Sequence, residues 1–513
     1  MTHSTETTEP AGKVRTIRKV LVANRGEIAV RVMRTCRELG ISTVAVYSEP
    51  DATALHVRMA DEAWPVGSAA SSDSYLRVDR ILEVARKTGA DAVHPGYGFL
   101  SENAAFAEAC EKEGIIFIGP PTGAIQSMGD KTAARAIMEK AGVPMAPGTV
   151  DAIDDLAEAE RIAGDIGYPV LIKAAAGGGG KGMRIVREAK AFRSSMEAAQ
   201  REAASAFGDG RVFIEKYIDE PRHIEFQVLA DTHGHIVHLF ERECSIQRRH
   251  QKVVEEAPSS VLTPELRERM GRSAVEAARS CGYVGAGTVE FLVDADLNYY
   301  FMEMNTRLQV EHPVTEQITG LDLVAEQIRI AEGEHLGYTQ DDLHIHGHSI
   351  ECRVYAEDPA TGFLPSPGPL LRHFMPGGFG VRVDAGVEEG GEVPIYYDPM
   401  ISKLVTWGPT RRDAIRRMRR ALEEYDIAGV PTTIPFCHFV MEHEAFTSGA
   451  FSTHFVDQHF TPERLFADDP TLTEALAAAA AMFAERREAE KGAPAPADAS
   501  TGNGFSLWHV RRR

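Results

Sequence analysis

Lys19-Val-Leu-Val-Ala-Asn24, a helical stretch opened by Gly26 and stopped by Gly40, and then Thr43-Val-Ala-Val-Tyr47 form the run that decides the fold class. The two apolar segments read as buried strands. The spacing between them is that of a helix, so the unit is β-α-β with parallel strands. The alternation continues with a helix over Tyr75–Thr88, a strand over Ala90–Val93, a helix over Glu102–Lys112 and a strand over Ile115–Ile118. Strands separated by helices predict a doubly wound parallel sheet. The first turn, Asn24-Arg-Gly-Glu-Ile28, holds one glycine where a dinucleotide fingerprint needs G-x-G-x-x-G, which argues against nicotinamide or flavin.

From about Asp130 the texture changes to short β-rich runs: Tyr168–Lys173, Met183–Val186, Val212–Tyr217 and Ile224–Leu229. They predict an antiparallel sheet with hairpins. A third region, about 347 to 459, is strand-rich with turns such as Pro365-Ser-Pro-Gly368 and reads as a small α+β lobe. Beyond Pro470 an alanine-rich helix leads into a Pro/Ala linker, while residues 1–15 read as a disordered polar tail without the charged and apolar regions of a signal peptide. The longest apolar run, Leu476 to Ala484, falls far short of the roughly 20 residues that span a bilayer, so no membrane association is expected.

Composition narrows the partners. The 513 residues carry a formal charge of −20, which disfavours nucleic acid and anionic lipid and leaves room for a local cationic pocket. The six cysteines are scattered without a C-x-x-C pair, as expected for a reducing, cytoplasmic setting.

Three constellations carry chemistry. Ala174-Ala-Ala-Gly-Gly-Gly-Gly-Lys-Gly182 follows an apolar strand ending in Lys173, so bare backbone N–H groups and two lysines converge as a phosphate cradle. The spacing is not that of a Walker A loop. Glu290 in Gly287-Thr-Val-Glu-Phe291 and Glu303 in Phe301-Met-Glu-Met-Asn305 face each other if the turn-rich 294–298 closes a hairpin. With Asn305, two residues on and therefore on the same face, they offer hard oxygen ligands suited to Mg²⁺. Cys244-Ser-Ile-Gln-Arg-Arg-His-Gln-Lys252 and Thr306-Arg-Leu-Gln-Val-Glu-His312 concentrate cations and amides that can hold anions, although such runs are as often solvated loops.

Taken in order, Ala23-Asn-Arg-Gly-Glu-Ile28, His94-Pro-Gly-Tyr-Gly-Phe-Leu-Ser-Glu-Asn103, the glycine run, Gln247-Arg-Arg-His-Gln-Lys252, Glu303-Met-Asn-Thr-Arg-Leu-Gln-Val-Glu-His-Pro313 and Glu351-Cys-Arg-Val-Tyr-Ala-Glu-Asp358 resemble biotin carboxylase from about residue 16 to 460. The resemblance implies an α/β and α+β ATP-grasp fold: an N-terminal doubly wound pre-ATP-grasp lobe (16–130), an ATP-grasp domain (131–335) with a mobile glycine-loop lid at about 145–218, and a C-terminal α+β lobe (347–460), before a helix and flexible tail (461–513). It implies ATP, Mg²⁺ or Mn²⁺, bicarbonate, and biotin supplied by a carrier protein. Bicarbonate would attack the γ-phosphate to give carboxyphosphate, whose CO₂ the biotin ureido nitrogen captures. By the same resemblance Lys131, Lys173 and Gly177, Gly178, Gly179 and Gly180 contact the ATP phosphates. Glu215, Lys216 and Ile218 seat the adenine, with His223 near the ribose. Glu290, Glu303 and Asn305 face the metal. Lys252, Arg307, Gln309 and Val310 hold bicarbonate, Glu311 is the general base, and Arg353 grips carboxyphosphate or biotin. Arg307 also stabilises the biotin enolate, Gln247 and His250 line the same pocket, and Tyr97 sits near the biotin ring.

Ala176 stands where many relatives carry a further glycine, and no Met-Lys dipeptide of the biotinyl-domain type occurs in these residues. A stand-alone subunit is therefore expected, working with a biotin carboxyl carrier protein and carboxyltransferase subunits of an acetyl-CoA, propionyl-CoA or pyruvate carboxylase, and forming the homodimer common in the family. Two other readings stay open: a carbamoyl phosphate synthetase type of ligase, and a catalytically dead nucleotide-binding scaffold.

Overall fold

A computed structural model describes residues 14–149, 151–175 and 183–465, and beyond them 474, 478–479 and 481–483. Residues 1–13 of the expected N-terminal tail, the four glycines 177–180 and the Pro/Ala linker lie outside the described residues, and Arg15, also assigned to the tail, is ordered with its N–H donating to the Glu332 carbonyl (2.8 Å). The described residues past 470 are helical, in keeping with the alanine-rich reading. No helix among the described residues is long and apolar enough to cross a membrane.

The first β-α-β unit forms as its pattern dictates. Strand β1 (Lys19–Val22) pairs in parallel with β2 (Ser42–Ser48), and helix α1 (Gly26–Glu38) connects them. With β3 (Glu62–Gly67), β4 (Ala92–His94) and β5 (Ile116–Phe117) they make a parallel five-stranded sheet in the order β3-β2-β1-β4-β5. Strand β3, which the apolar pattern does not announce, carries Pro65 and occupies an edge, where a missing N–H is tolerated. Two of the quoted motifs meet at the carboxyl ends of β1 and β4. Asn24 Nδ2 donates to the carbonyls of Pro95 (2.7 Å) and Tyr97 (2.8 Å), drawing the His94–Gly98 loop onto the start of α1. Gly96 is required there: its φ is +63°, and a Cβ would stand 3.0 Å from Asn24 Nδ2.

His94 ends β4, is buried, and accepts a hydrogen bond at Nδ1 from the Gly96 N–H (3.0 Å). Burial pushes its pKa down from 6.5 to about 4. Between those values the unfolded chain takes up a proton that the fold refuses, so stability falls as pH drops through the window, by about 2 kcal/mol at pH 5. His94→Asn, whose Oδ1 can accept from Gly96, is expected to narrow the gap between the melting temperatures at pH 7 and pH 5. An unchanged gap would mean the imidazole is already charged in the fold.

The expected single antiparallel sheet is in fact two. Strands β6 (Val170–Ala174), β7 (Met183–Val186) and β8 (Val212–Lys216) form a separate three-stranded sheet, with β6 central. Helices Leu156–Ile166 and Phe192–Phe207 cover it through a core of Ala159, Ala163, Val170, Ile172, Met196 and Ile214. Strands β9 (Arg222–Ala230), β10 (Ile236–Arg248), β11 (Gln251–Ala257), β12 (Gly285–Val293), β13 (Tyr299–Asn305) and β14 (His348–Tyr355) belong to the other sheet, which strands Met400–Gly408 and Val381–Ala385 extend. The order of this eight-stranded sheet is β13-β12-β9-β10-β11-β14, then Met400–Gly408, then Val381–Ala385. Because β11 pairs with β14, with Val254 opposite Cys352, the region from 347 onward continues the ATP-grasp sheet rather than standing beside it.

Side-chain alternation gives this sheet one apolar and one polar face. On β9, Ile224, Phe226 and Val228 pack with Met270, Ala274 and Ala277 of helix Pro264–Ser280, while Glu225 and Gln227 point to the opposite side. On β14, Ile350, Cys352 and Val354 enter the C-terminal core, and Glu351 and Arg353 turn away from it.

Candidate active site

The polar face is a charged stripe crossing the sheet. Glu303 pairs in register with Glu290, Glu290 with Glu225, and Glu225 with Arg242. On the other side Glu255 opposes Glu351, Arg353 opposes Lys403, and Lys403 opposes Asp384. The 306–311 segment leaves β13 and folds back over this face, and its last residue precedes helix His312–Thr319.

Lys252 is the hub. Its Nζ donates to Glu311 Oε1 (2.6 Å), to Glu290 Oε1 (2.9 Å) and to Glu225. Burial alone would strip its proton, but the three carboxylates outweigh burial and hold its pKa well above the usual lysine value. Glu311, fully buried, also accepts from Arg353 Nη2 at Oε2 (2.8 Å). Burial would raise its pKa, yet Lys252, Arg353 and Arg242 overcome that and hold it well below the carboxylate range. Arg353 in turn donates through Nε to Glu255 (2.6 Å), whose pKa burial pushes up to about 7. Arg242, buried under the stripe, donates to Glu225 (2.6 Å), Gln227 (2.8 Å), Thr288 (3.0 Å) and Thr315 (2.9 Å), so none of its nitrogens is stranded.

The same face offers oxygen donors for a metal. Glu290 and Glu303 are directly opposed, a repulsive arrangement for two carboxylates. Glu290 is well supplied: Asn305 Nδ2 (2.9 Å), Gln309 Nε2 (3.3 Å) and Lys252 all donate to Oε1, and His223 Nε2 lies 2.9 Å from Oε2. Glu303 is exposed and accepts no hydrogen bond among the described residues. A free carboxylate facing a second one, with an amide oxygen two residues along, fits a hard divalent cation. Asn305 Oδ1 meanwhile accepts from Arg307 Nη2 (3.1 Å), and Arg307 also reaches Gln309 (3.1 Å) and Glu102 (2.9 Å).

The remaining anticipated residues fall into groups. Gln247 donates to the Cys244 carbonyl (2.7 Å) and lies 2.9 Å from His223 Nδ1, so both residues join the Glu290 cluster. His250 does not: it is exposed at the β10–β11 turn with φ +66°. Lys173 and Glu215 form a second cluster in the three-stranded sheet, 2.5 Å apart, with Arg135 3.1 Å from Glu215. Lys216 turns its ammonium to the carbonyls of Gly167 (3.0 Å) and Tyr168 (3.1 Å), and Ile218 is buried just beyond the strand. Lys131 is exposed at the start of helix Lys131–Lys140, where its charge reaches Glu303. Tyr97 donates its hydroxyl to Glu27, and Val310 offers its carbonyl to Lys403 (2.9 Å).

Sequence reasoning missed Glu225, Arg242, Glu255 and Lys403. Alternation could have found the first, because His223, Glu225 and Gln227 interleave with Ile224, Phe226 and Val228 on one strand.

A small three-stranded sheet carrying the Lys173–Glu215 pair, together with a large antiparallel sheet bearing the buried carboxylates, defines an ATP-grasp protein. Residues 16–125 match the family described as "Biotin carboxylase, N-terminal domain", 130–339 "Carbamoyl-phosphate synthase L chain, ATP binding domain", and 351–458 "Biotin carboxylase C-terminal domain". Biotin carboxylase 1 of Bacillus subtilis is 56% identical over 444 residues, covering 86% of this chain and 99% of that protein. The biotin carboxylase of Nostoc sp. is 55% identical over 440 residues, covering 86% and 98%. Among solved structures, the biotin carboxylase domain dimer of Hydrogenobacter thermophilus 2-oxoglutarate carboxylase, in complex with MgADP, ADP and bicarbonate, superimposes with a TM-score of 0.81 at 53% identity, covering 89% of this chain and all of that one. The chain belongs to the biotin carboxylase family.

Proposed function

We propose that the chain carboxylates biotin with bicarbonate and ATP, by way of carboxyphosphate, as the first half-reaction of a biotin-dependent carboxylase. The observation that carries this reading is Glu311 clamped between Lys252 and Arg353, next to the opposed pair Glu290 and Glu303. Lys131, Lys173 and the glycines 177–180 take the ATP phosphates, with Glu215, Lys216 and Ile218 at the adenine and His223 toward the ribose. Mg²⁺ or Mn²⁺, held by Glu290, Glu303 and Asn305, supplies positive charge to the transferred phosphoryl group. Lys252, Arg307, Gln309 and Val310 receive bicarbonate.

A carboxylate pinned by two cations is a poor base. Glu311 gains basicity when an incoming anion draws Lys252 and Arg353 toward itself, so substrate binding arms the residue that deprotonates it. Arg353 and Arg307 then bear the negative charge of carboxyphosphate and of the biotin enolate, with Tyr97 beside the ring. Gln247 holds His223 in place, and His250 approaches from the hairpin turn.

Biotin reaches the site on a biotin carboxyl carrier protein. Carboxyltransferase subunits and a homodimer complete the assembly. Six free cysteines, five of them buried, favour the cytoplasm. The chain divides into lobes 16–130, 131–335 and 347–460, and the segment at about 145–218 is the mobile lid over the nucleotide. Phosphate release from ATP is expected to need both the metal and bicarbonate and to rise with free biotin. The same rate in bicarbonate-depleted buffer would sink the proposal.

A further inference from the structure

Lys403 is the one lysine of the chain with no exposed side-chain surface among the described residues, and it sits mid-strand in Met400–Gly408, opposite Arg353. A buried ammonium has to be matched by acceptors. Its Nζ donates to the Val310 carbonyl (2.9 Å) and lies 3.0 Å from Glu27 Oε1. Glu27 is buried in the first turn of α1, and its other oxygen accepts the Tyr97 hydroxyl. The backbone around Glu27 is pressed against the C-terminal region as well: a Cβ on Gly386 would stand 2.3 Å from the Glu27 nitrogen. Four pieces of chain remote in sequence, helix α1, the 94–98 loop that α1 holds through Glu27, the 306–311 segment and the C-terminal strand, are therefore joined around a single cation.

We propose that Lys403 is a positioning residue for the bicarbonate and biotin end of the site: it fixes the Val310 carbonyl and, through Glu27, the Tyr97 hydroxyl. The inference rests on the functional reading above. Holding the Val310 carbonyl sets the plane of the peptide that leads into Glu311, and so the direction from which the Glu311 carboxylate meets its two cations. Holding Tyr97 through Glu27 sets the opposite wall at a fixed distance. Lys403 makes no contact with Lys173, Glu215 or Lys216, so its loss acts on one end of the site and spares the other.

The test compares the parent with Lys403→Met/Glu27→Gln, which removes the cation and its ion-pair carboxylate together. Melting temperature and bicarbonate-dependent ATP hydrolysis are measured for both. In the double variant KM for bicarbonate is expected to rise about tenfold or more with KM for ATP within about twofold, and stimulation by free biotin is expected to disappear. Lys403→Arg keeps the charge but moves it, and is expected to show the same split to a smaller extent should the double variant fail to fold. The inference is overturned if a folded variant keeps both KM values within about twofold of the parent, or raises them equally, as general loosening would. A parent enzyme whose hydrolysis ignores bicarbonate would instead overturn the functional reading on which it rests.

Discussion

Glu311→Gln is expected to lower bicarbonate-dependent turnover by about 10²-fold or more while ATP affinity stays within about twofold of the parent. Glutamine keeps the side-chain length and an oxygen for Lys252 or Arg353, so the fold around it is retained. What disappears is the basic electron pair. Removing one negative charge also leaves Lys252 and Arg353 with a cationic excess, so KM for bicarbonate should not rise and is expected to fall. Lower kcat without a higher KM separates a missing base from a damaged binding site. Steady-state kinetics with bicarbonate varied at saturating ATP, beside equilibrium dialysis of ATP, reads both quantities. Turnover equal to that of the parent would remove Glu311 from the chemistry.

Lys252→Met is expected to abolish turnover and to cost about 3–5 kcal/mol of stability, because Glu225, Glu290 and Glu311 lose the one cation they share in a buried space. The pH dependence distinguishes this from simple loss of packing. Without the ammonium, the folded-state pKa values of Glu290 and Glu311, which Lys252 now depresses, rise above their unfolded values. The folded state then binds more protons than the unfolded one, and stability returns as pH falls from 8 toward 5. Denaturation of parent and variant across that range should show the variant recovering part of its deficit at the acid end. A deficit constant with pH would mean the three carboxylates are not facing one another as described.

The α/β start of the fold was legible because its strands are uniformly apolar and its helices are punctuated by glycines: Lys19–Val22, Gly26–Glu38 and Ser42–Ser48 lie within a residue or two of the pattern. The pairing of Glu290 with Glu303 was legible too, since a hairpin with a short turn leaves little freedom of register. The division into two antiparallel sheets was not. Val170–Ala174 and Arg222–Ala230 have similar local texture, and which strand each one meets is decided by long-range packing. Nor could spacing place Lys252 among three carboxylates from three different segments, or show that Gln247 is buried and His250 exposed three residues away. Those facts depend on the bulges in β10 and on the turn at Arg249 and His250, both with positive φ.

The pairing of β11 with β14 has a consequence for how this chain can be divided. A fragment ending near residue 339 would contain everything matched to the ATP-binding family, yet it would leave the β11 side of the sheet with a row of unmatched N–H and C=O groups beside a buried charge relay. Such an open flank recruits other strands and favours aggregation. The three family-matched segments are accordingly not interchangeable cassettes, and the smallest transplantable portion is the one that keeps the whole eight-stranded sheet out to Met400–Gly408 and Val381–Ala385.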